Sequence, residues 1–449
     1  MDRRQLTIMA NKFQSVFDPS TLNDQGDQLE FCQRQRLITP LRFGLSVVAS
    51  MASQQVQSIA DLQRDFNALW DLEVSYKAFY NQLAKPSCSA FLRTSLCAIM
   101  GKLTLKVLGF QEGAALSEFD QIVIQDGSSF AIHDALRQVF PGRFSAVKPA
   151  AVELHCTMDV LHDAPITIVL SPDTDSEQVY LPAPESRKGS LFLADRGYLN
   201  LTYLSDVAHQ GGFFVVRAKE ALNPLVIDAY REDGKPLKGC RERDFQAIVA
   251  TLPKRQRVNL IVEWWVAGQP FRLRLIVIWN KKTQCFIYLL TNLPEERYDI
   301  DKVCLIYKLR WQVELLFKQW KSYANLHAFD TTNADIAEAL IWASLAAAAV
   351  KRFLAHATEH LLEVVISTHK AAMSRAYRLP ELFRALCHGD GPWLRRAFEA
   401  LIRYLGVNAK RAHPRRDERT GRSRLGLKPI FELTDNTELT DTYKNRKAA

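Results

Sequence analysis

The sequence predicts an α/β protein in which a strand-rich core carries a β-rich insertion and lies between helical N- and C-terminal regions. Three observations predict it. Apolar residues follow a helical period up to about Glu118 and an extended one from Phe119, and these two periods distinguish helix from strand. Between about Glu220 and Pro294, β-branched and aromatic runs are separated by turn residues. From Ile306 onward the helical spacing returns.

Residues 1–118 form the first helical region. Within it SIADLQRDF reads as a short amphipathic helix, ALWDLEV as a connector, and Ser75 as the N-cap of SYKAFYNQLA, which Pro86 stops. Such a pair suits a helix-turn-helix whose second helix offers Tyr76, Lys77, Tyr80, Asn81 and Gln82 to a groove, although small helical bundles contain similar pairs.

Residues 119–330 form the core. DQIVIQDGSSFAI is a β-rich run with Asp126 before Gly127, and Asp120 shares the strand parity of Asp126. Ala151 to Val160 and Ile166 to Ser171 continue as strands around a turn at His162 to Pro165. In SLFLADRGYLN, the strand Leu191 to Ala194 delivers Asp195 at its C-terminal end, where an open sheet exposes ligands. A helix at Leu199 to His209 and a strand at Phe213 to Ala218 precede the insertion, about 220–294. There VNLIVEWW, a turn at Ala267 to Pro270, and FRLRLIVIW form a hairpin, and CFIYLLTNLP adds a third strand.

The stretch Ile306 to Lys321, IYKLRWQVELLFKQWK, is expected to be one helix. Tyr307, Arg310, Glu314 and Lys321 then fall within an arc of roughly 60°. Leu309, Val313, Leu316 and Trp320 lie opposite and bury a stripe. One carboxylate among cations suits a metal ligand beside bound phosphate. Residues 331–449 read as a second helical region, with the Ala-rich Ala334 to Leu362, a basic tail, and a frayed polar terminus beyond Pro429.

The formal charge is +9, and Arg403 to Lys428 alone holds nine Lys or Arg against Asp417 and Glu418. A concentrated basic segment of this kind suits a polyanion. The eight cysteines, at 32, 88, 97, 156, 240, 285, 304 and 387, lack the paired spacing of zinc or redox motifs and read as buried thiols of a reducing cytoplasm. MDRRQLTIMANKF contains no apolar signal core, and Ala339 to Val350 is too short to cross a bilayer, so a cytoplasmic protein without a membrane partner is expected. His356 and His360 read as helix-surface histidines.

A Tyr, two residues, an Arg, three residues, a Glu, six residues and a Lys resembles the signature that closes the catalytic domain of the IS4-type DDE transposases. DGSSF around Asp126 and DRGY from Asp195 fit the same resemblance, which spans roughly Phe119 to Leu326. The resemblance implies a ribonuclease H-like fold, with Asp126 on the central strand, Asp195 after the fourth and Glu314 on a late helix. It implies that these three are catalytic and bind Mg²⁺ or Mn²⁺, as two ions, since Asp and Glu are hard oxygen ligands suited to in-line attack on phosphorus. Tyr307, Arg310 and Lys321 are then DNA-binding residues.

The implied activity is that of an insertion-sequence transposase, which cuts the element's ends and joins the 3′-hydroxyl to target DNA through a hairpin intermediate. The implied partners are double-stranded DNA, as terminal inverted repeats and target, and a second protomer in a homodimeric synaptic complex. The insertion is expected to help hold the DNA end and to supply an aromatic wedge for a flipped base. At the matching place stands Ile287 between Phe286 and Tyr288, while Trp264, Trp265 and Trp279 fit a core role as well. Two other readings compete: a transposase-derived DNA-binding protein that no longer cuts, and a stand-alone ribonuclease H-like nuclease.

Overall fold

A ten-stranded mixed sheet forms the middle of the molecule in a computed structural model that describes residues 1–32, 36–53, 56–323, 326, 330–373, 378–413 and 421–433. Six helices come first: α1 (Arg3–Val16), α2 (Pro19–Gln28), α3 (Pro40–Ser53), α4 (Ile59–Trp70), α5 (Tyr76–Leu83) and α6 (Pro86–Leu103). Strand β1 (Leu105–Phe110) then leads into β2 (Gln121–Ala131), β3 (Ala151–Asp159), β4 (Ala164–Pro172) and β5 (Ser190–Ala194). Helix α7 (Leu201–His209) carries the chain across to β6 (Phe213–Arg217).

Strands β2, β3 and β4 are antiparallel neighbours, whereas β5 and β6 run parallel to β2, giving the order β4-β3-β2-β5-β6. Numbered from β2, that is 3-2-1-4-5 with only the second strand reversed, the ribonuclease H-like arrangement. The sheet then continues through β11 (Cys285–Thr291), β10 (Gln269–Asn280), β9 (Val258–Val266), β7 (Leu225–Arg231) and β8 (Arg243–Asp244), with α8 (Phe245–Ile248) between β8 and β9. The β-rich insertion is therefore an extension of the same sheet, since β11 pairs antiparallel with β6. Ala267 and Gly268, both at positive φ, close the β9–β10 hairpin, the backbone geometry that tight hairpin turns require.

Alternation along the strands gives the sheet two cores. Ile122, Ile124, Leu191 and Leu193 face a helical layer, while Val123, Phe192 and Ala194 pack with Leu204 and Val207 of α7 on the other face. The helical layer contains α9 (Ile300–Lys308), α10 (Trp311–Tyr323) and α11 (Ala334–Leu362), then α12 (Thr368–Met373), α13 (Leu379–His388) and α14 (Gly391–Asn408). Helix α11 packs against α3 and α6, and α1 against α14, so both helical ends of the chain share one core. A last strand, β12 (Leu427–Leu433), pairs antiparallel with β1.

Several sequence expectations change in detail. The stretch Ile306 to Lys321 is two helices, because Leu309, Arg310, Gln312 and Val313 donate their N–H groups three residues back. That tighter winding eclipses residues i and i+3, which keeps Tyr307 and Arg310 on one side. Leu309, Val313, Leu316 and Trp320 are buried as expected. Helix α4 runs on to Trp70, so the connector to α5 is only Asp71–Ser75, and a Ser58–Asp61 capping box starts it. Ser75 caps α5, but Pro86 opens α6 and does not end α5. Tyr76, Lys77 and Asn81 are exposed, whereas Gln82 donates to the Phe31 carbonyl and is committed to the fold. All eight cysteines are free thiols, five of them buried. Part of the basic segment, 414–420, and the polar terminus 434–449 lie outside the described residues.

His356 is not a surface residue. It is buried 3.3 Å from Asp163 and 3.1 Å from Glu359, because the tight β3–β4 turn, with Asp163 at φ 47°, inserts its carboxylate against α11. Arg352 lies 2.6 Å from the same carboxylate. Burial alone would raise the Asp163 pKa, but Arg352 and His356 hold it well below the carboxylate range. Burial likewise opposes a charge on His356, yet Asp163 and Glu359 hold its pKa above the ordinary imidazole value. The depressed Asp163 contributes stability that is full above its unfolded pKa and lost as pH falls towards its folded one. His356 contributes below its unfolded pKa and loses that share as pH rises through its folded value. Asp163→Ala should therefore cost about 3–5 kcal/mol near neutral pH, by stranding buried cations. Urea denaturation followed by tryptophan fluorescence should show the gap from wild type narrowing below about pH 4.

Candidate active site

The C-terminal edge of the parallel strands gathers the chemistry. Strand β5 pairs with β2 up to Ala194 opposite Gln125, so Asp126 on β2 and Asp195 just after β5 emerge side by side. Glu314 comes from the first turn of α10, and Tyr307 and Arg310 from the tightened turn before it. Asp120 sits at the opposite end of the central strand, beside Gly189, away from this edge.

Arg310 is the hub. Its Nη1 donates to Asp126 Oδ2 at 2.5 Å and its Nη2 to Glu314 Oε1, with the guanidinium side chain only 12% exposed. Tyr307 donates its hydroxyl to Asp195 Oδ1 at 3.1 Å, and Arg217, the last residue of β6, lies 3.7 Å from the same oxygen. Burial pushes the Asp126 carboxyl up to about 7 against the pull of Arg310. Burial would depress Arg310, but Asp126 first and then Tyr307 outweigh it and keep the guanidinium firmly charged. Burial also raises the Tyr307 phenol, helped by Asp195, so it stays a donor.

Glycines in both aspartate motifs make room for a polar layer on the opposite face of the sheet. A Cβ at Gly127 would stand 2.5 Å from Glu153 Oε1 and 2.8 Å from the Tyr198 hydroxyl, and one at Gly197 would overlap the Glu177 carboxylate. Tyr198 bonds His155 Nδ1 at 3.0 Å, and His155 Nε2 bonds Ser171 Oγ at 2.9 Å. Burial pushes His155 down to about 4, so it bridges the two hydroxyls as a neutral ring. The backbone beneath Asp126 and Asp195 is thus braced from behind.

Lys321, in the last turn of α10, donates to the Ser129 carbonyl at 2.6 Å and so reaches the far end of β2. All six sequence-designated residues consequently border the same sheet edge. Two neighbours were missed. Trp311 is 60% exposed beside Arg310 and lies about 40° from Tyr307 on a helical wheel, next to the polar arc. Arg217 was legible only as the final residue of a strand that had to lie next to β5. In the insertion, the β10–β11 turn, with Lys281 and Lys282, comes to the Asp195 end of the sheet, since Leu289 pairs with Arg217. Trp279 and Phe286 stack edge to face there, with Lys254 over Trp279, while Tyr288 is buried and Trp265 is exposed near the opposite turn.

Among the described residues, no three His, Cys, Asp or Glu side chains converge closely enough to hold a metal ion. Arg310 stands as the cation between Asp126 and Glu314. The donors themselves, carboxylates from three elements at one edge, are of the hard-oxygen kind that suits Mg²⁺ or Mn²⁺. No helix among the described residues is long and apolar enough to cross a membrane.

Several known proteins are similar to this chain. The transposase of insertion sequence element IS231E from Bacillus thuringiensis subsp. finitimus is 22% identical over 383 residues, covering 76% of this chain and 78% of its own. That of IS231C, from subsp. berliner, is 22% identical over 410 residues, covering 82% and 84%. Among solved structures, a piggyBac transposase synaptic complex with hairpin DNA aligns over 90% of this chain and 88% of its own, at 10% identity and a TM-score of 0.46. The Transposase DDE domain family matches residues 117–350, just over half of the chain and the whole of the site, so the chain belongs to that family and is an insertion-sequence transposase.

Proposed function

We propose that this transposase cuts the ends of its own element and joins the freed 3′-hydroxyl to target DNA by divalent-metal-dependent phosphoryl transfer, passing through a hairpin. The observation that carries this reading is the meeting of Asp126, Asp195, Glu314, Tyr307 and Arg310 at one sheet edge. Asp126, Asp195 and Glu314 would hold Mg²⁺ or Mn²⁺, as two ions. When bound, such ions activate an attacking oxygen and stabilise the leaving one.

The protein's own residues supply the rest. Arg310 is a two-pronged donor, and turning it from Asp126 and Glu314 to a phosphate frees two carboxylates in one movement. Tyr307 orients Asp195 through its hydroxyl, and Lys321 places a point charge alongside β2, so together they position the strand next to the scissile phosphate. Trp279 and Phe286, at the same edge with Lys254, Lys281 and Lys282, are better placed than Ile287 to act as the wedge of the insertion.

The remaining regions take the following roles in this reading. Residues 1–118 bind the terminal repeat through Tyr76, Lys77, Tyr80 and Asn81 of α5, residues 119–330 are catalytic, and residues 331–449 pair two protomers when two ends are brought together. The site of action is the bacterial cytoplasm, on the nucleoid.

Glu314→Gln should retain binding to DNA carrying the element's flanking ends and lose Mn²⁺-dependent cutting at the boundary. Electrophoresis of cleaved, hairpinned and joined products reads this directly, and cutting that persists in the variant would remove Glu314 from the site. Arg310→Lys keeps the charge and loses the fork. Hairpinning should fall about a hundredfold, as misplacement of a reacting group by an ångström does. Mn²⁺ binding, followed by electron paramagnetic resonance, should persist; unchanged processing by the lysine variant would rule out the positioning role.

A further inference from the structure

The β2–β3 connection deserves a function of its own. Pairing of β2 with β5 ends at Gln125, yet β2 runs on to Ala131 with β3 still beside it. This ribbon, flanked by β4, which stays paired with β3 as far as Val152, projects past the catalytic edge and ends in residues 132–150. The connection is anchored from within, because Leu136, Phe140 and Ala150 are buried in the main core. It is also fixed by its backbone: Gly142 N–H bonds the Pro149 carbonyl, and the N–H groups of Val147 and Lys148 both bond the Phe144 carbonyl. Arg143 pins the base of this tip, donating from its backbone N–H to Asp173 Oδ2 and from Nε to the Asp173 carbonyl.

The tip nevertheless turns apolar side chains to solvent. Phe144 is 68% exposed and Val147 is 80% exposed, four and seven residues beyond a phenylalanine that the same connection buries. Cations surround them. Arg137, Arg143 and Lys148 are exposed, and Asp134 is the one acidic residue between 133 and 150. Lys321 lies on the same ribbon at Ser129, and burial together with the nearby Lys148 lowers its pKa. Two ammonium groups kept near each other, with an aromatic ring between basic residues, fit a polyanion that also presents flat apolar faces.

We propose that the 143–148 tip is a DNA-binding element, in which Phe144 stacks on an unpaired base beside the scissile phosphate and Lys148 with Lys321 contacts the adjoining phosphates. The occupant is DNA, because the patch is basic and continuous with the catalytic edge through Lys321 and Ser129. The inference rests on the function proposed above, which brings a strand end to that edge.

The test uses the full chain in a Glu314→Gln background, bound to the element's own end with 2-aminopurine on either side of the cut. Phe144→Ala should weaken end binding roughly tenfold and abolish the fluorescence change, consistent with the loss of one stacked base. Phe144→Trp should restore both, and Lys148→Ala should reduce the salt dependence of binding by about one counterion. If Glu314→Gln has stopped cutting but Phe144→Ala leaves affinity and fluorescence as they were, the active-site reading stands and this inference fails. If Phe144→Ala alters the sedimentation of the DNA-free protein, the tip is a protein contact and the inference also fails. If Glu314→Gln still cuts, the reading beneath both is wrong.

Discussion

Three carboxylates cannot be brought to one half-buried edge without a cation, and Arg310 supplies it. Its guanidinium joins Asp126 on the central strand to Glu314 on α10, which ties the helical layer to the sheet at the point where chemistry would occur. Like charges brought close in a poorly solvated place would otherwise protonate or move apart. The tightened turn before α10 follows from the same need, since it sets Tyr307 above Arg310 and lets one residue serve each aspartate. The glycines of both aspartate motifs then allow the opposite face to pack closely enough to keep those strands rigid.

Much of this was legible in the sequence because it is local. The alternation of Ile122, Val123 and Ile124, the strand ending at Asp195, and the opposed faces of residues 306–321 are properties of short windows, and side-chain period reports them directly. Capping by Ser75 was legible for the same reason. What could not be read depended on partners distant in the chain. His356 looks like a surface residue until Asp163, from a turn almost two hundred residues earlier, is placed beside it. The insertion reads as a separate β unit until β11 is seen to pair with β6. Trp311 sits beside the polar arc, but only the packing of α10 shows that its ring is left in solvent.

The site residues divide along the same line. Residue type and spacing nominate Asp126, Asp195, Glu314, Tyr307, Arg310 and Lys321 as candidates. Their partners were not available from spacing, because a carboxylate beside an arginine in sequence need not touch it in space. Arg310 reaching Asp126 as well as Glu314, and Lys321 reaching Ser129, are consequences of where β2 lies under α10.

The pairing of β1 with β12 has a consequence for how the protein is made. Strand β1 leaves the ribosome early, but the strand that covers its edge is among the last described parts of the chain to be synthesised. The N-terminal helices also wait for α11 and α14 to complete their core. An interrupted translation product would therefore carry an open strand edge and an unfinished apolar surface, features that favour aggregation and proteolysis. Quality control would thus fall most heavily on incomplete molecules, and the cell's stock of this recombinase would consist of chains that had been read through.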